Sequence, residues 1–142
     1  MSDYDIDILT WSEQQAELLR LHAAGKPSNQ RPDWDNIIDE LLDVGLSAMR
    51  ACRSLLLQAL LHRLKVLAWP TSTTVPHWTS EATVALASMA GEYVPSMRSR
   101  IDLERIYGKA RKALPSTVDG VPPLPVPETC PFTLEELLRD GE

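Results

Sequence analysis

The sequence predicts an all-α fold, a helical bundle of about four main helices around one long central helix, with a short capped helix at the C-terminus. Three observations lead to this prediction. Residues 33–70 show helical spacing of apolar and polar side chains over about thirty-six positions. Shorter segments with the same period lie on either side of them. No segment has the pattern that is typical of a strand.

The first element is an N-terminal helix, predicted from about residue 5 to residue 24. Apolar and aromatic residues, among them Ile8, Trp11 and Leu18, recur on one face at helical spacing. Gly25 is the expected stop, because glycine adopts the left-handed backbone that ends many helices. Residues 26–32 are then expected to form a loop that leads into the central helix.

The central helix is indicated by its ends and by the order of its charges. Asp33 is suited to cap the first turn of the helix, and Pro70 is expected to end the helix. Acids occupy the first half and bases the second, which matches the positive and negative ends of the helix dipole. The acids are Asp35, Asp39, Glu40 and Asp43, and the bases are Arg50, Arg53, Arg63 and Lys65.

Apolar residues cover most of the circumference of this helix, so we expect neighbours to bury it on several sides. Its length of about 54 Å exceeds the diameter of about 37 Å expected for a compact domain of this size. Three explanations stay open: an elongated molecule, a kink near Gly45, or a protruding end that another subunit covers. The last explanation predicts a homodimer.

Further elements follow Pro70. A third helix is predicted from about residue 79 to residue 93 and a fourth from residue 96 to residue 114, each followed by a proline. Residues 115–131 contain six of the eleven prolines, which predicts an extended segment packed on the bundle. Thr133 and Glu136 form a capping box, so a short final helix should start at Leu134.

Length and composition favour a single domain over residues 1–142. The net charge of −6 and the pI near 5.0 argue against an overall attraction to nucleic acid or to an anionic membrane. Two cysteines and the absence of a basic-then-apolar leader lead us to expect a cytoplasmic protein. The apolar run of residues 55–61 is far shorter than the ~20 residues of a membrane span, so no transmembrane segment is predicted.

Seven segments of the chain together resemble one known family. They are YDIDILTW at 4–11, QAELLR at 15–20, DWDNIIDEL at 33–41, LLLQALLHRLKVLAWP at 55–70, VPSM at 94–97, IYGKAR at 106–111 and CPFTLEELL at 130–138. In this order they resemble the family called domain of unknown function 29. The resemblance implies a small all-helical bacterial protein and carries over no catalytic set. The chain departs from the family pattern at Arg63, where leucine is usual, and in residues 78–94, which contain no arginine.

His62 is the titratable residue most suited to chemistry, because it lies on an apolar seam of the central helix. An enzyme or metal-binding bundle would need folding to bring it near Asp39, Glu40 or Asp43. A lone histidine on such a face more often bonds a carbonyl or carboxylate of a neighbouring helix. No Glu-x-x-His pair occurs in the chain, so we predict neither a metal site nor a cofactor.

Arg105, Lys109 and Lys112 share a face of the predicted fourth helix, and such a basic face is typical of phosphate contacts in nucleic-acid-binding proteins. The acidic total and nearby acids make nucleic-acid binding a second alternative only. No nucleophile elbow, phosphate loop or dinucleotide fingerprint occurs in the chain. The leading hypothesis is therefore a non-enzymatic interaction or regulatory protein, whose ligand is a protein partner or a second copy of the chain.

Overall fold

The computed structural model describes residues 2–26 and 28–142 and confirms the all-α bundle. Its helices are α1 Asp3–Ile6, α2 Ile8–Ala23, α3 Trp34–Ala68, α4 Val75–Glu92, a 3₁₀ helix Pro95–Arg100, α5 Leu103–Lys112 and α6 Leu134–Asp140. The described residues contain no strand, and their one β-bridge joins Val118 to Val121. The chain divides into two compact units, Met1–Leu46 and Ser47–Glu142, and α3 contributes residues to both. The single domain predicted over residues 1–142 stays a prediction.

The N-terminal helix is divided in two, whereas the sequence predicted one helix over residues 5–24. Asp7 has the non-helical backbone angles φ −146° and ψ 87°, and its carboxylate accepts a hydrogen bond of 3.0 Å from the Thr10 amide. Asp7 therefore ends α1 and caps α2, because a cap residue leaves the helical conformation to reach the free amides. The stop at Gly25 is as expected. Its φ is 70°, and the Lys26 amide donates to the Leu21 carbonyl at 2.9 Å.

The core of the second unit is built on one seam of α3. Cys52, Leu56, Ala59, Leu60 and Leu64 follow one another at helical spacing and have no exposed surface. The largest buried side chains that pack with them come from the other helices of this unit and are Leu86, Met89, Tyr107 and Leu137. Removal of this apolar surface from water is the main stabilising contribution in the second unit.

The third helix begins at Val75, four residues before the predicted start at residue 79. Pro76 lies in its first turn, where the missing amide proton has no partner to lose, so the proline is compatible with the helix. The helix ends at Glu92, close to the predicted end at residue 93, and Pro95 follows. Proline was therefore a correct signal for the end of this helix, and another proline is accommodated in its first turn.

The fourth helix, predicted over residues 96–114, was wrong in its first part. The structure has a 3₁₀ helix over Pro95–Arg100, then an extended residue at Ile101, and only then α5. The break arises because the Asp102 carboxylate accepts a hydrogen bond of 3.1 Å from the Arg105 amide and caps a new helix. An aspartate inside an apolar pattern thus restarts the helix and shortens it at the front.

The proline-rich residues 115–131 contain no helix and are fixed by hydrogen bonds from three places. The Trp69 indole donates to the Val121 carbonyl at 2.8 Å, and the Leu124 amide donates to the Ala68 carbonyl at 2.9 Å. The Tyr107 hydroxyl donates to the Pro127 carbonyl. These bonds hold the segment against α5 and the C-terminal end of α3, where it covers part of the core.

The C-terminal helix begins at Leu134, as predicted, with both bonds of the capping box present. The Thr133 hydroxyl accepts from the Glu136 amide at 3.1 Å, and the Glu136 carboxylate accepts from the Thr133 amide at 3.2 Å. Arg63 holds the same helix from α3. Its guanidinium lies 2.8 Å from the Asp140 carboxylate and 4.9 Å from the Phe132 ring centroid. Arg63 therefore serves to dock α6 on the core of its own unit.

Gly141, directly after α6, leads to a stability prediction. A Cβ added there would collide with the Leu86 carbonyl in the backbone of α4, which cannot yield as a flexible side chain does. Gly141→Ala should lower the free energy of unfolding by about 1–3 kcal/mol, as overpacking does elsewhere, and speed hydrogen exchange in α6. Denaturant unfolding and exchange mass spectrometry measure the two effects.

Gly108→Ala is the matched control, since a Cβ at Gly108 in α5 meets nothing within 4 Å. Alanine is the better helix former, so this variant should gain about 0.5–1 kcal/mol. Equal stability of the two variants would show that α6 is not seated on α4 at Gly141.

Candidate functional site

Exposed apolar side chains are concentrated in the first unit. Nine of the fourteen large apolar side chains that are exposed among the described residues lie within its 46 positions, although it is less than a third of the chain. They are Ile6, Ile8, Leu9, Trp34, Ile38, Leu41, Leu42, Val44 and Leu46. Scattered apolar residues on a surface are ordinary, but a concentration of this kind is typical of an interaction site.

Part of this surface is an ordered stripe on α3. Ile38, Leu41, Leu42 and Gly45 follow the spacing i, i+3, i+4 and i+7, so they lie on one face of the helix. The three large side chains are 52%, 69% and 63% exposed, and a Cβ added at Gly45 would meet no atom within 4 Å. We call these four residues the α3 stripe. The sequence pattern had predicted that neighbours would cover this part of the helix, and in the structure they do not.

An apolar cleft of about 230 Å³ lies beside the α3 stripe, between α2 and α3. Leu41 belongs both to the stripe and to the lining of the cleft, so the two form one continuous surface. The other apolar lining residues are Trp11, Ala16, Leu19, Ile37 and Val44. Large side chains of a binding partner that lay on the stripe would therefore find a cavity to fill.

Three exposed acids line one edge of the α3 stripe. Asp35, Asp39 and Asp43 lie at i, i+4 and i+8, and we call them the acidic edge. The helix dipole accounts for Asp35, which is the acid of the first turn. Because the dipole acts mainly within that turn, it does not account for Asp39 and Asp43. The acidic edge therefore leaves negative charge beside an open apolar face.

Hydrogen bonds hold the first unit together. Among its described residues, only one side chain is buried. That side chain is Trp11, 6% exposed, whose indole donates to the Asp33 carboxylate at 3.0 Å. Asp33 also accepts from the Asn36 side-chain amide at 2.7 Å. The Tyr4 ring meets that of Trp11 edge-on at 4.8 Å, and its hydroxyl donates to the Glu40 carboxylate at 2.6 Å. These contacts fix α1 and α2 against the start of α3 without a core of their own.

The same bonds shift the pKa values of their members. The hydrogen bond from the Asn36 side chain, and then the one from the Trp11 indole, lower the pKa of Asp33 below its ordinary value of 3.8. The bond to Glu40, together with the other acids nearby, raises the pKa of Tyr4 to about 12. At neutral pH, Asp33 is therefore an ionised acceptor and Tyr4 an uncharged donor.

The residues predicted as catalytic candidates lie in different units. Glu40 is in the first unit, where it accepts the hydrogen bond from Tyr4, and Asp39 and Asp43 are exposed there. His62 is in the second unit, half-buried, with Nδ1 at 2.8 Å from the Gln58 carbonyl of its own helix. The sequence led us to expect a bond to a neighbouring helix, whereas this carbonyl belongs to α3 itself. Catalysis by these four residues stays a prediction.

Other reactive side chains serve the structure. Burial raises the pKa of the Cys52 and Cys130 thiols, which favours the unreactive thiol form. The largest cavity described, about 700 Å³ in the second unit, is lined by Asp102, Glu104 and Thr133 among others. Asp102 and Thr133 cap helices, and Glu104 accepts the Cys130 amide at 3.1 Å. No group of three or more His, Cys, Asp or Glu side chains suited to a metal occurs in residues 2–26 and 28–142.

The three bases that the sequence placed on one helix face all lie in α5 at the spacing i, i+4 and i+7. Arg105 and Lys109 of α5 line a cavity of about 290 Å³ together with Arg53 of α3 and Arg100 of the 3₁₀ helix, and Lys112 does not line it. The sequence could not place Arg53 and Arg100 here, because they reach the cavity only through the packing of α3 and the 3₁₀ helix against α5. We call this cavity the basic cleft.

α3 is long and apolar enough to cross a membrane by length and composition, with a mean hydropathy of 1.2 over its most apolar window. Of that window, 28% is buried. A core helix of a soluble protein passes the same test, so this property is weak support for a span. The prediction of no membrane segment stays a prediction.

The fold and these surfaces define a class: small all-α proteins with a packed helical core and one open apolar helix face. Within this class, the chain belongs to the family described as domain of unknown function DUF29, which matches residues 4–141. This match confirms the resemblance seen in the sequence. No curated protein and no solved structure matches the chain.

The bonds of Asp33 lead to a pH prediction for the first unit. A carboxyl whose pKa is lower in the folded state stabilises that state above its unfolded pKa near 3.8, and the contribution is lost as the pH falls through the folded value. We expect the Trp11 indole N–H signal in NMR spectra to titrate with a midpoint below 3.8, and Asp33→Asn to remove this titration.

Asp35→Asn is the control, because it removes an exposed charge two positions away that makes no bond to Trp11. The titration should persist in this variant. A midpoint above 3.8 in the unaltered protein would contradict the bond geometry at Asp33.

Proposed function

We propose that this protein is a non-enzymatic interaction module whose first unit binds a basic amphipathic helix of a partner protein. The observation that supports this proposal is the α3 stripe, an exposed apolar face at helical spacing with the acidic edge along one side. A partner helix would place its own apolar face on the stripe and its lysines or arginines against Asp35, Asp39 and Asp43.

The apolar side of the argument rests on how little the first unit buries. A unit of 46 residues with one buried side chain among those described lacks a core of ordinary size. Burial of exposed aliphatic surface contributes about 25 cal/mol per Å², so a partner on the stripe and cleft would supply the apolar contacts that the unit lacks. The spacing i, i+3, i+4 and i+7 matches the anchor positions by which amphipathic helices bind grooves.

Charge selects the kind of partner. The first unit has ten acids and three bases, a formal charge of −7, and the second has ten acids and eleven bases, a formal charge of +1. A second copy would bring another −7 to the same surface, and like charges oppose that association. A cationic segment is attracted instead, so the partner is a basic helix and the homodimer is disfavoured.

The alternative of an enzyme or metal-binding bundle has less support. The His62 ring nitrogen contacts the Gln58 carbonyl, and the Glu40 carboxylate is occupied by the Tyr4 hydroxyl. Each group therefore has a structural partner that a catalytic role would have to displace.

The apolar contact is tested with a fluorescent basic amphipathic peptide and a scrambled peptide of equal charge. Leu42→Asp should weaken binding of the amphipathic peptide about tenfold or more in anisotropy titrations, because Leu42 would be a central anchor. Val84→Asp is the control. Val84 lies on α4 of the second unit, and its exposed fraction of 59% is close to the 63% of Leu42. Equal affinity for the two peptides, or equal loss in the two variants, would contradict the proposal.

The electrostatic contact has its own test. Asp39→Asn combined with Asp43→Asn should weaken peptide binding at low salt and flatten its salt dependence. Glu81→Gln combined with Glu92→Gln removes the same charge from exposed positions of α4 and should leave both properties nearly unchanged. An unchanged salt slope in the aspartate variant would exclude the acidic edge from the site.

Sedimentation decides between this partner and a second copy. The protein should be a monomer, with Leu42→Asp sedimenting in the same way. A dimer that Leu42→Asp dissociates would show that a second copy covers the α3 stripe, and it would overturn the proposal of a basic partner.

A further inference from the structure

We propose that the basic cleft of the second unit binds the phosphate group of a small phosphorylated molecule. The site goes beyond the proposed partner surface, because it uses other residues in the other unit. Arg53, Arg100, Arg105 and Lys109 line the cleft and converge on it from three elements, α3, the 3₁₀ helix and α5.

The four cations of the cleft have no ion-pair partner in the described structure. The ion pairs found within residues 2–26 and 28–142 involve Arg20, Arg63 and Arg98. The one acid in the cleft, Asp102, accepts the Arg105 amide as the cap of α5. The cleft therefore carries a local charge of +3 in a protein whose net charge is −6.

One hydrogen bond and the helical spacing of α5 bring the cations of the cleft together. The Arg53 guanidinium donates to the Arg100 carbonyl at 3.2 Å, which ties α3 to the 3₁₀ helix at the rim. Arg105 and Lys109 are four residues apart on α5, so they project from the same face. The bond to Arg100 uses one donor of Arg53, and the other donors of its guanidinium stay available for a ligand.

The chemistry of the lining selects phosphate. An arginine guanidinium can donate two parallel hydrogen bonds to two oxygens of one phosphate. Several cations together suit a group that carries two negative charges. The cleft measures about 290 Å³ and its remaining side chain is Ile106, so no aromatic ring is present to stack a base. Proteins that bind single-stranded nucleic acid normally add such rings to their basic groove. A small phosphorylated ligand therefore fits better than a nucleic acid.

The test is an NMR titration of the labelled full chain with pyrophosphate at low salt. Amide signals of residues around Arg100 and Lys109 should shift. Lys109→Gln should weaken binding about tenfold, because each lost charge-assisted hydrogen bond costs about one decade of affinity. Lys112→Gln on the same helix is the matched control and should change the affinity less than about twofold.

Arg53→Gln shows whether the cleft, rather than the surface of α5 alone, is the site. It should weaken pyrophosphate binding about as much as Lys109→Gln does. Equal losses in Lys109→Gln and Lys112→Gln, or no loss in Arg53→Gln, would overturn the proposal, because binding would then follow the general charge of α5. Binding of a single-stranded oligonucleotide without binding of pyrophosphate would also overturn it and would assign the basic surface to nucleic acid.

Discussion

The burial of one seam of α3 is the constraint on which the second unit depends. Side chains from Cys52 to Leu64 on this seam have no contact with solvent, and the core residues of α4, α5 and α6 pack against them. The arrangement of the basic cleft follows from this packing, since it places Arg53 beside the 3₁₀ helix and α5. The same helix behaves differently in the first unit. None of its side chains between Trp34 and Leu46, all of which the structure describes, is buried.

The first unit replaces a core with directional bonds around Trp11. An indole bonded to a carboxylate and a phenol bonded to another carboxylate can orient helices, but they exclude little water. Regions with few buried apolar contacts open locally at low free-energy cost. Binding of a partner to such a region stabilises it by mass action, so order in the first unit and occupancy of its apolar face are thermodynamically linked.

Much of the fold could be predicted because local signals decide it. Gly25, Pro70 and the Thr133–Glu136 capping box act within a few residues, and the structure uses each of them. Asp7 and Asp102 are equally local signals, and both cap helices in the structure, but the prediction missed them because they lie inside apolar patterns. The candidate sites were harder to predict. Periodicity shows that Ile38 and Leu41 share a face, but only tertiary packing decides whether that face is covered, and only packing brings Arg53 to Lys109.

The unequal charge of the two units affects how each of the two proposed sites would attract its ligand. At physiological ionic strength an electrostatic potential decays over about 8 Å, so an ion close to the surface responds to the charges beside it and hardly to the total. The isoelectric point near 5.0 is thus an average that describes neither unit. A polycation approaching Asp39 and an anion approaching Lys109 can both be attracted by this one acidic chain. Isoelectric focusing, which depends only on the net charge, would conceal both attractions.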